Sequence, residues 1–293
     1  MPRLLISAVL SAAFAFAPML QAQEINIQHN GLTLNANLAL TDESGYENIF
    51  LITHGTLAHN GMEIISNWQE LLSDEGISSL AINLSLGVDN RHGMYDCKTP
   101  HTHKHEDAVS EIGAWVNWLK SKGSESIILG GHSRGGNQTA WYSNQNEDSV
   151  IKAQILIAPQ TWSESAETED YSNRYKQPLA PLLSKAKQLP NDTLLKNTDF
   201  IYCEDSQVQA GSFVSYYQPT PHFDSPTLLQ SATLPTLVFA GSEDETVKDL
   251  AKIMLDVNND KVKTIEIEGA NHFFRDLYMD EVLEESLEYL DQL

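Results

Sequence analysis

The stretch that most constrains this chain is Ser126-Ile127-Ile128-Leu129 followed, one glycine later, by Gly131-His132-Ser133-Arg134-Gly135. The apolar run is short, β-branched and unbroken, as in a strand buried on both faces. The residues beyond it, Asn137 to Tyr142, continue as a helix. Strand, Gly-x-Ser-x-Gly and helix together place a serine on a sharp bend with its hydroxyl exposed. The flanking glycines let strand and helix pass closely.

The rest of the chain alternates in the same manner. Glu24–His29 and Leu32–Leu40 form a hairpin around Asn30-Gly31, and Asn48–Thr53 is a buried strand ending in His54-Gly55-Thr56. A helix over Met62–Ser73 and a strand over Ile77–Leu84 follow. Ser85 to Lys104 has no periodicity and reads as a long functional loop; a helix from His105 to about Lys120 leads into the serine strand. Ile151–Ala158, Leu234–Ala240 and Val262–Ile267 are further strands, with helices over Val247–Val257 and Leu277–Leu293. The long interval between the first two of these strands is too long for a bare loop, and it predicts a cap or lid of short helices over about residues 160–232. Such alternation builds a mostly parallel sheet covered by helices on both faces, an α/β fold with its site at the carboxyl ends of the strands.

Two further strand ends carry chemistry in the required order. Gly241-Ser242-Glu243-Asp244-Glu245 follows one strand and Gly269-Ala270-Asn271-His272-Phe273 the next. A serine hydroxyl stays protonated at neutral pH, so it needs a base, and the base needs an orienting acid. Ser133, Asp244 and His272 supply that order, with Glu243 and Glu245 as rival acids and His132 assigned to packing.

With these residues in view, the chain resembles the α/β-hydrolase family over essentially everything after residue 22. The resemblance rests on His54-Gly55, Gly131-His132-Ser133-Arg134-Gly135-Gly136, Gly241-Ser242-Glu243-Asp244 with Val247, and Gly269-Ala270-Asn271-His272-Phe273. It implies a sheet of about eight strands, a Ser133-Asp244-His272 triad and an inserted cap. It also implies an oxyanion site made of the backbone N–H groups of Arg134 and Thr56, with Leu57 as second choice for the latter. His54, Gly55, Leu57, Arg91 and Tyr95 are expected around the substrate. The expected reaction is cleavage of a carboxylic ester or related small-molecule acyl compound through an acyl-enzyme, with no cofactor. Peptidase, thioesterase or acyltransferase chemistry on the same fold is the alternative, as is a non-catalytic binding protein with a metal-binding histidine loop. His-Gly-Thr in place of a Gly-Gly-Gly loop argues against the bulky-alcohol branch of lipases and esterases, and a serine rather than aspartate nucleophile argues against dehalogenase chemistry.

Met1-Pro2-Arg3, an apolar stretch from Leu4 to Ala17 and the small residues before Gln23 have the three parts of a secretory signal peptide, residues 1–22, with cleavage expected after Ala22. Ala15-Phe16-Ala17 also fits the cleavage pattern but is followed by Pro18. The expectation is an exported protein, periplasmic or secreted, without a membrane anchor. A net charge of −22 repels phosphate backbones and anionic lipid, so nucleic acid is excluded as a natural partner. The sequence carries no signal for an oligomeric state. Cys97 and Cys203 are the only cysteines, and export predicts a disulfide between them. His101, His103 and His105 alternate along an extended segment, as a metal-ligand comb would, although Lys104 lies among them and no metal is assigned; loop hydrogen bonding is the other reading.

Overall fold

The computed structural model describes residues 23–42 and 44–293. The proposed leader, 1–22, lies outside them. Strands β1 (Gln23–His29) and β2 (Leu32–Ala39) form the expected hairpin. They are followed by β3 (Asn48–Thr53), α1 (Glu63–Asp74), β4 (Ser78–Asn83), α2 (Asp107–Ser121), β5 (Ser126–His132), α3 (Arg134–Gln145) and β6 (Ile151–Ile157). After an insertion come β9 (Thr236–Gly241), α8 (Leu250–Met254), β10 (Val262–Ile267) and α9 (Leu277–Leu290). The eight strands lie in the order β1-β2-β4-β3-β5-β6-β9-β10, and β2 alone runs against the others.

Alternation along each strand assigns the two faces. Leu237 and Phe239 of β9 point into a core with Ile65, Trp68 and Leu72 of α1 and Met279, Val282 and Leu283 of α9. Val238 and Ala240 point the other way, to Ala140 of α3 and Leu250 and Met254 of α8. On that same face Ile127 and Leu129 of β5 meet Ile112, Trp115 and Leu119 of α2. Both faces of the central strands are therefore covered, which is why their sequences read as unbroken apolar runs. The helix expected over Val247–Val257 is shorter than that, because Asp249 sits at φ 57° and interrupts it.

The insertion contains α4 (Glu164–Tyr175), α5 (Leu179–Lys187), β7 (Leu194–Phe200), β8 (Cys203–Gln209) and α6 (Ala210–Tyr217). A 3-10 turn (Pro221–Phe223) and α7 (Ser225–Leu229) then return the chain to the body. The expectation of helices alone is corrected: β7 and β8 form an antiparallel hairpin. The cap has its own core of Tyr171, Leu179, Phe200, Val208, Phe213 and Tyr217. Ser163 starts α4 by accepting from the Ala166 N–H, which lets the acidic segment that follows form a helix.

The long loop docks on this hairpin. His101 donates its N–H to the Gln207 carbonyl at 2.8 Å and accepts from the Gln209 N–H at 2.9 Å. Beside it, Cys97 and Cys203 are disulfide-bonded, with Cα atoms 5.4 Å apart. The bond closes a long stretch of chain and couples body to cap. In the chain-entropy model it is worth about 4–5 kcal/mol, so a Cys97→Ser, Cys203→Ser double variant is expected to melt well below the wild type. A melting curve unchanged by the substitutions would contradict this.

Candidate active site

Because seven strands share one direction, the loops after β3, β5, β6, β9 and β10 converge on one edge of the sheet. Ser133 sits between β5 and α3 at φ 58° and ψ −126°, a conformation that only its surroundings can hold. The surroundings demand glycine. A Cβ on Gly135 would overlap the carbonyl oxygens of His54 and Thr53, and one on Gly131 would stand 2.7 Å from the Gly135 carbonyl oxygen. The bend therefore rests on close passage of α3 over β3 and β5.

Ser133 Oγ lies 3.0 Å from His272 Nε2, and His272 Nδ1 lies 2.7 Å from Asp244 Oδ2. The second oxygen of Asp244 accepts from the Thr246 and Val247 N–H groups at 2.7 and 2.8 Å. Burial pushes the Asp244 carboxyl up, but the hydrogen bonds from His272 and these two amides outweigh it and hold the group below the usual carboxylate range. Glu243 and Glu245 are exposed, whereas Asp244 is buried. His132 does more than fill space. Its Nε2 donates to the His272 carbonyl at 2.9 Å, fixing the backbone that carries the imidazole. Burial, then the neighbouring His272, lowers the His132 pKa to about 3, so it stays neutral.

The loop after β3 passes directly beside Ser133: a Cβ at Gly55 would be 3.1 Å from the Ser133 Cβ. Arg134 opens α3, where backbone N–H groups lack helical partners and the helix dipole favours negative charge. Thr56 and Arg134 both line a cleft of about 540 Å³ over Ser133. Gln160 and Trp162, after β6, form one side. The cap contributes Glu167, Tyr175, Tyr202 and Tyr216 to the lining.

Four residues expected around the substrate are elsewhere. His54, Leu57, Arg91 and Tyr95 are buried and do not line the cleft. Arg91 donates to the carbonyls of Leu84 and Ala58 at 2.8 Å each and to Asn83 Oδ1 at 2.7 Å. A buried guanidinium needs this many acceptors, and satisfying them turns it away from solvent. Its pKa is lowered to about 10 by burial. His54 Nε2 accepts from the Leu84 N–H at 3.0 Å, leaving Nδ1–H to donate to the Gly55 carbonyl at 2.9 Å. Tyr95 donates its N–H to the Leu57 carbonyl at 3.0 Å, and Leu57 packs into the cap core. Arg91, through the Ala58 carbonyl, and Tyr95, through the Leu57 carbonyl, hold the Thr56 loop in place. The cleft residues Gln160 and Trp162 were findable by the strand-end rule applied to β6; those from the cap carried no signal.

His101, His103 and His105 do face one side, but what they meet is aromatic. His103 Nδ1 pairs with the Tyr216 hydroxyl at 2.8 Å, and His105 stacks on Trp141. Among the described residues no group of three or more His, Cys, Asp or Glu is placed to hold a metal ion.

Residues 47–274 match the family described as serine aminopeptidase, S33. No curated protein sequence matches the chain. Among solved structures, Est1E from Butyrivibrio proteoclasticus with ferulic acid bound has a TM-score of 0.64 at 20% identity, covering 91% of this chain and 99% of that one. The α/β hydrolase GrgF from Penicillium sp. sh18 has a TM-score of 0.65 at 15% identity, covering 93% and 99%. An α/β serine hydrolase homologue from Coxiella burnetii gives 0.55 at 15%, covering 94% and 100%. Sheet order, cap insertion and family match agree, and the chain belongs to the serine aminopeptidase, S33 family of α/β-hydrolases.

Proposed function

We propose that the protein is an exported serine hydrolase that cleaves a carboxylic ester, or a related small acyl compound, through an acyl-enzyme. The observation that carries this reading is the continuous relay from Ser133 Oγ to His272 Nε2 at 3.0 Å and from His272 Nδ1 to a buried Asp244 at 2.7 Å. In the proposed mechanism Ser133 Oγ attacks the acyl carbonyl as His272 Nε2 takes its proton. Asp244 holds the imidazole with its proton on Nδ1 and stabilises the imidazolium. The Arg134 and Thr56 N–H groups stabilise the oxyanion. His272 then protonates the leaving group, and water reverses the sequence to release the acid.

The disulfide supports export, since such bonds persist in oxidising compartments. Among the described residues no helix is long and apolar enough to cross a membrane. The aromatic residues Trp162, Tyr175 and Tyr202 lining the cleft suit a flat acyl or leaving group, in keeping with the ferulic acid held by Est1E. A second reading, cleavage of an aminoacyl amide, is favoured by the family description and by Glu167, Asp170 and Glu245 lining the cleft, where carboxylates suit a free amine.

A fluorophosphonate probe is expected to label the wild type and leave Ser133→Ala unlabelled. In a panel of activated esters, thioesters and aminoacyl amides, esters should turn over fastest. Turnover of amides alone would select the second reading, and an unlabelled wild type would remove both.

A further inference from the structure

The Thr56 loop is a single turn, closed by the Ala58 N–H donating to the Gly55 carbonyl at 3.3 Å. Thr56 stands between Gly55 and Leu57, the latter at φ 53°, outside any regular element. From below, Arg91 and Tyr95 fasten the neighbouring Ala58 and Leu57 carbonyls. From the cleft side one side chain reaches Thr56 itself: Arg134 Nε donates to Thr56 Oγ1 at 2.9 Å. The same guanidinium lies 5.4 Å from the ring centroid of Tyr216 on α6. Among the described residues no carboxylate forms a salt bridge with Arg134. The Tyr216 hydroxyl is in turn held by His103 Nδ1, and His103 Nε2 lies 3.3 Å from His101 Nδ1.

Resting on the acyl-transfer reading above, we propose that the Arg134 side chain is a positioning residue for the oxyanion site. Residue 134 contributes one donor by its backbone and clamps the other by its side chain, so both N–H groups converge on one oxygen. Oxyanion donors act only when fixed close to 3 Å from the developing charge, so a drift of a few tenths of an ångström in Thr56 weakens the transition state and leaves ground-state binding nearly intact. Tyr216 and His103 set where the guanidinium sits. The histidine segment thereby acquires a role without a metal: it ties the cap's α6 to the geometry of the oxyanion loop.

The test uses the full protein with p-nitrophenyl acetate, a small neutral ester. Arg134→Met and Thr56→Val are each expected to lower kcat by about 10- to 100-fold, with KM within about threefold of wild type. Because the two changes break one contact, the double variant should be no worse than about threefold below the poorer single variant. Thr56→Ser keeps the acceptor oxygen and should retain wild-type kcat within about threefold. Affinity for a small uncharged trifluoromethyl ketone, whose adduct with the serine carries an oxyanion, should fall in parallel with kcat. Wild-type kcat in Thr56→Val, multiplicative losses in the double variant, or a raised KM at unchanged kcat in Arg134→Met would overturn the proposal; the last would mean that the guanidinium holds substrate. If Arg134→Met fails to fold, the Thr56→Val and Thr56→Ser pair decides alone. A wild type that neither turns over esters nor takes the fluorophosphonate label removes the hydrolase reading and the brace with it. An active wild type beside an unaffected Thr56→Val removes only the brace.

Discussion

Asp244→Asn is expected to lower kcat by about 10⁴-fold while KM and the melting temperature stay near those of the wild type. The reason lies in which oxygen does what. Oδ1 accepts from the Thr246 and Val247 N–H groups, so the asparagine carbonyl must take that position to keep the turn. Its NH₂ then faces His272 Nδ1, which at present is 2.7 Å from Oδ2. Two donors cannot share one hydrogen bond, so the imidazole moves its proton to Nε2 and points N–H at Ser133 Oγ. A base in that tautomer cannot accept the serine proton. Fold and cleft survive because the backbone contacts survive, which separates this outcome from Asp244→Ala, where the turn after β9 also loses its acceptor. A loss below about tenfold, read from ester hydrolysis and the rate of fluorophosphonate labelling, would mean that Glu243 or Glu245 can orient the imidazole instead.

How much of this was legible beforehand differs by element. The buried strands announce themselves through unbroken apolar runs, because a parallel strand covered on both faces has no polar side to alternate with. Chain order then brings Ser133, Asp244 and His272 to one edge, since residues just beyond parallel strands must converge there. The cap hairpin was hidden. Leu194–Phe200 and Cys203–Gln209 are largely polar and pair with register shifts, so neither shows clean two-residue alternation. Arg91 and Tyr95 misled for a different reason. A charged residue and an aromatic beyond a strand end read as pocket lining, while the carbonyls that absorb the buried guanidinium come from turns whose shape no local pattern encodes. The alternation of His101, His103 and His105 does put them on one side. Their partners Phe200, Tyr216 and Trp141 arrive from far along the chain, and this converts an apparent ligand comb into part of an aromatic core.

That burial predicts acid lability. His54, His101, His103, His105 and His132 are all nearly inaccessible to solvent. Desolvation is the largest cause in each case, lowering His54 and His132 to about 3 and His101 to about 4, with His103 and His105 held well below the usual imidazole value. Each folded-state pKa lies below its unfolded value of about 6.5, so unfolding takes up protons that the native imidazoles refuse. The contribution to stability is complete above pH about 6.5 and is lost as pH falls toward the folded values. At pH 5 the loss is about 2 kcal/mol for each of His54, His101 and His132, or on the order of 6 kcal/mol for the three, and His103 and His105 act in the same direction. Glu111 acts in the opposite sense. Burial raises it to about 7, against the hydrogen bonds it accepts from Ser85, so it adds stability as pH falls and offsets roughly 2 kcal/mol of the loss. Asp107 and Glu167, also raised by burial, work in the same direction as Glu111. The net loss is a large share of the stability of an ordinary domain, about 5–15 kcal/mol. Urea unfolding midpoints should therefore drop clearly between pH 7 and pH 5, with about two or more protons taken up per molecule unfolded. Ordinary carboxylates titrate below that window, so the slope within it reports the imidazoles less the opposing Glu111. Midpoints independent of pH from 7 to 5 would show that these side chains are not held neutral in the native protein.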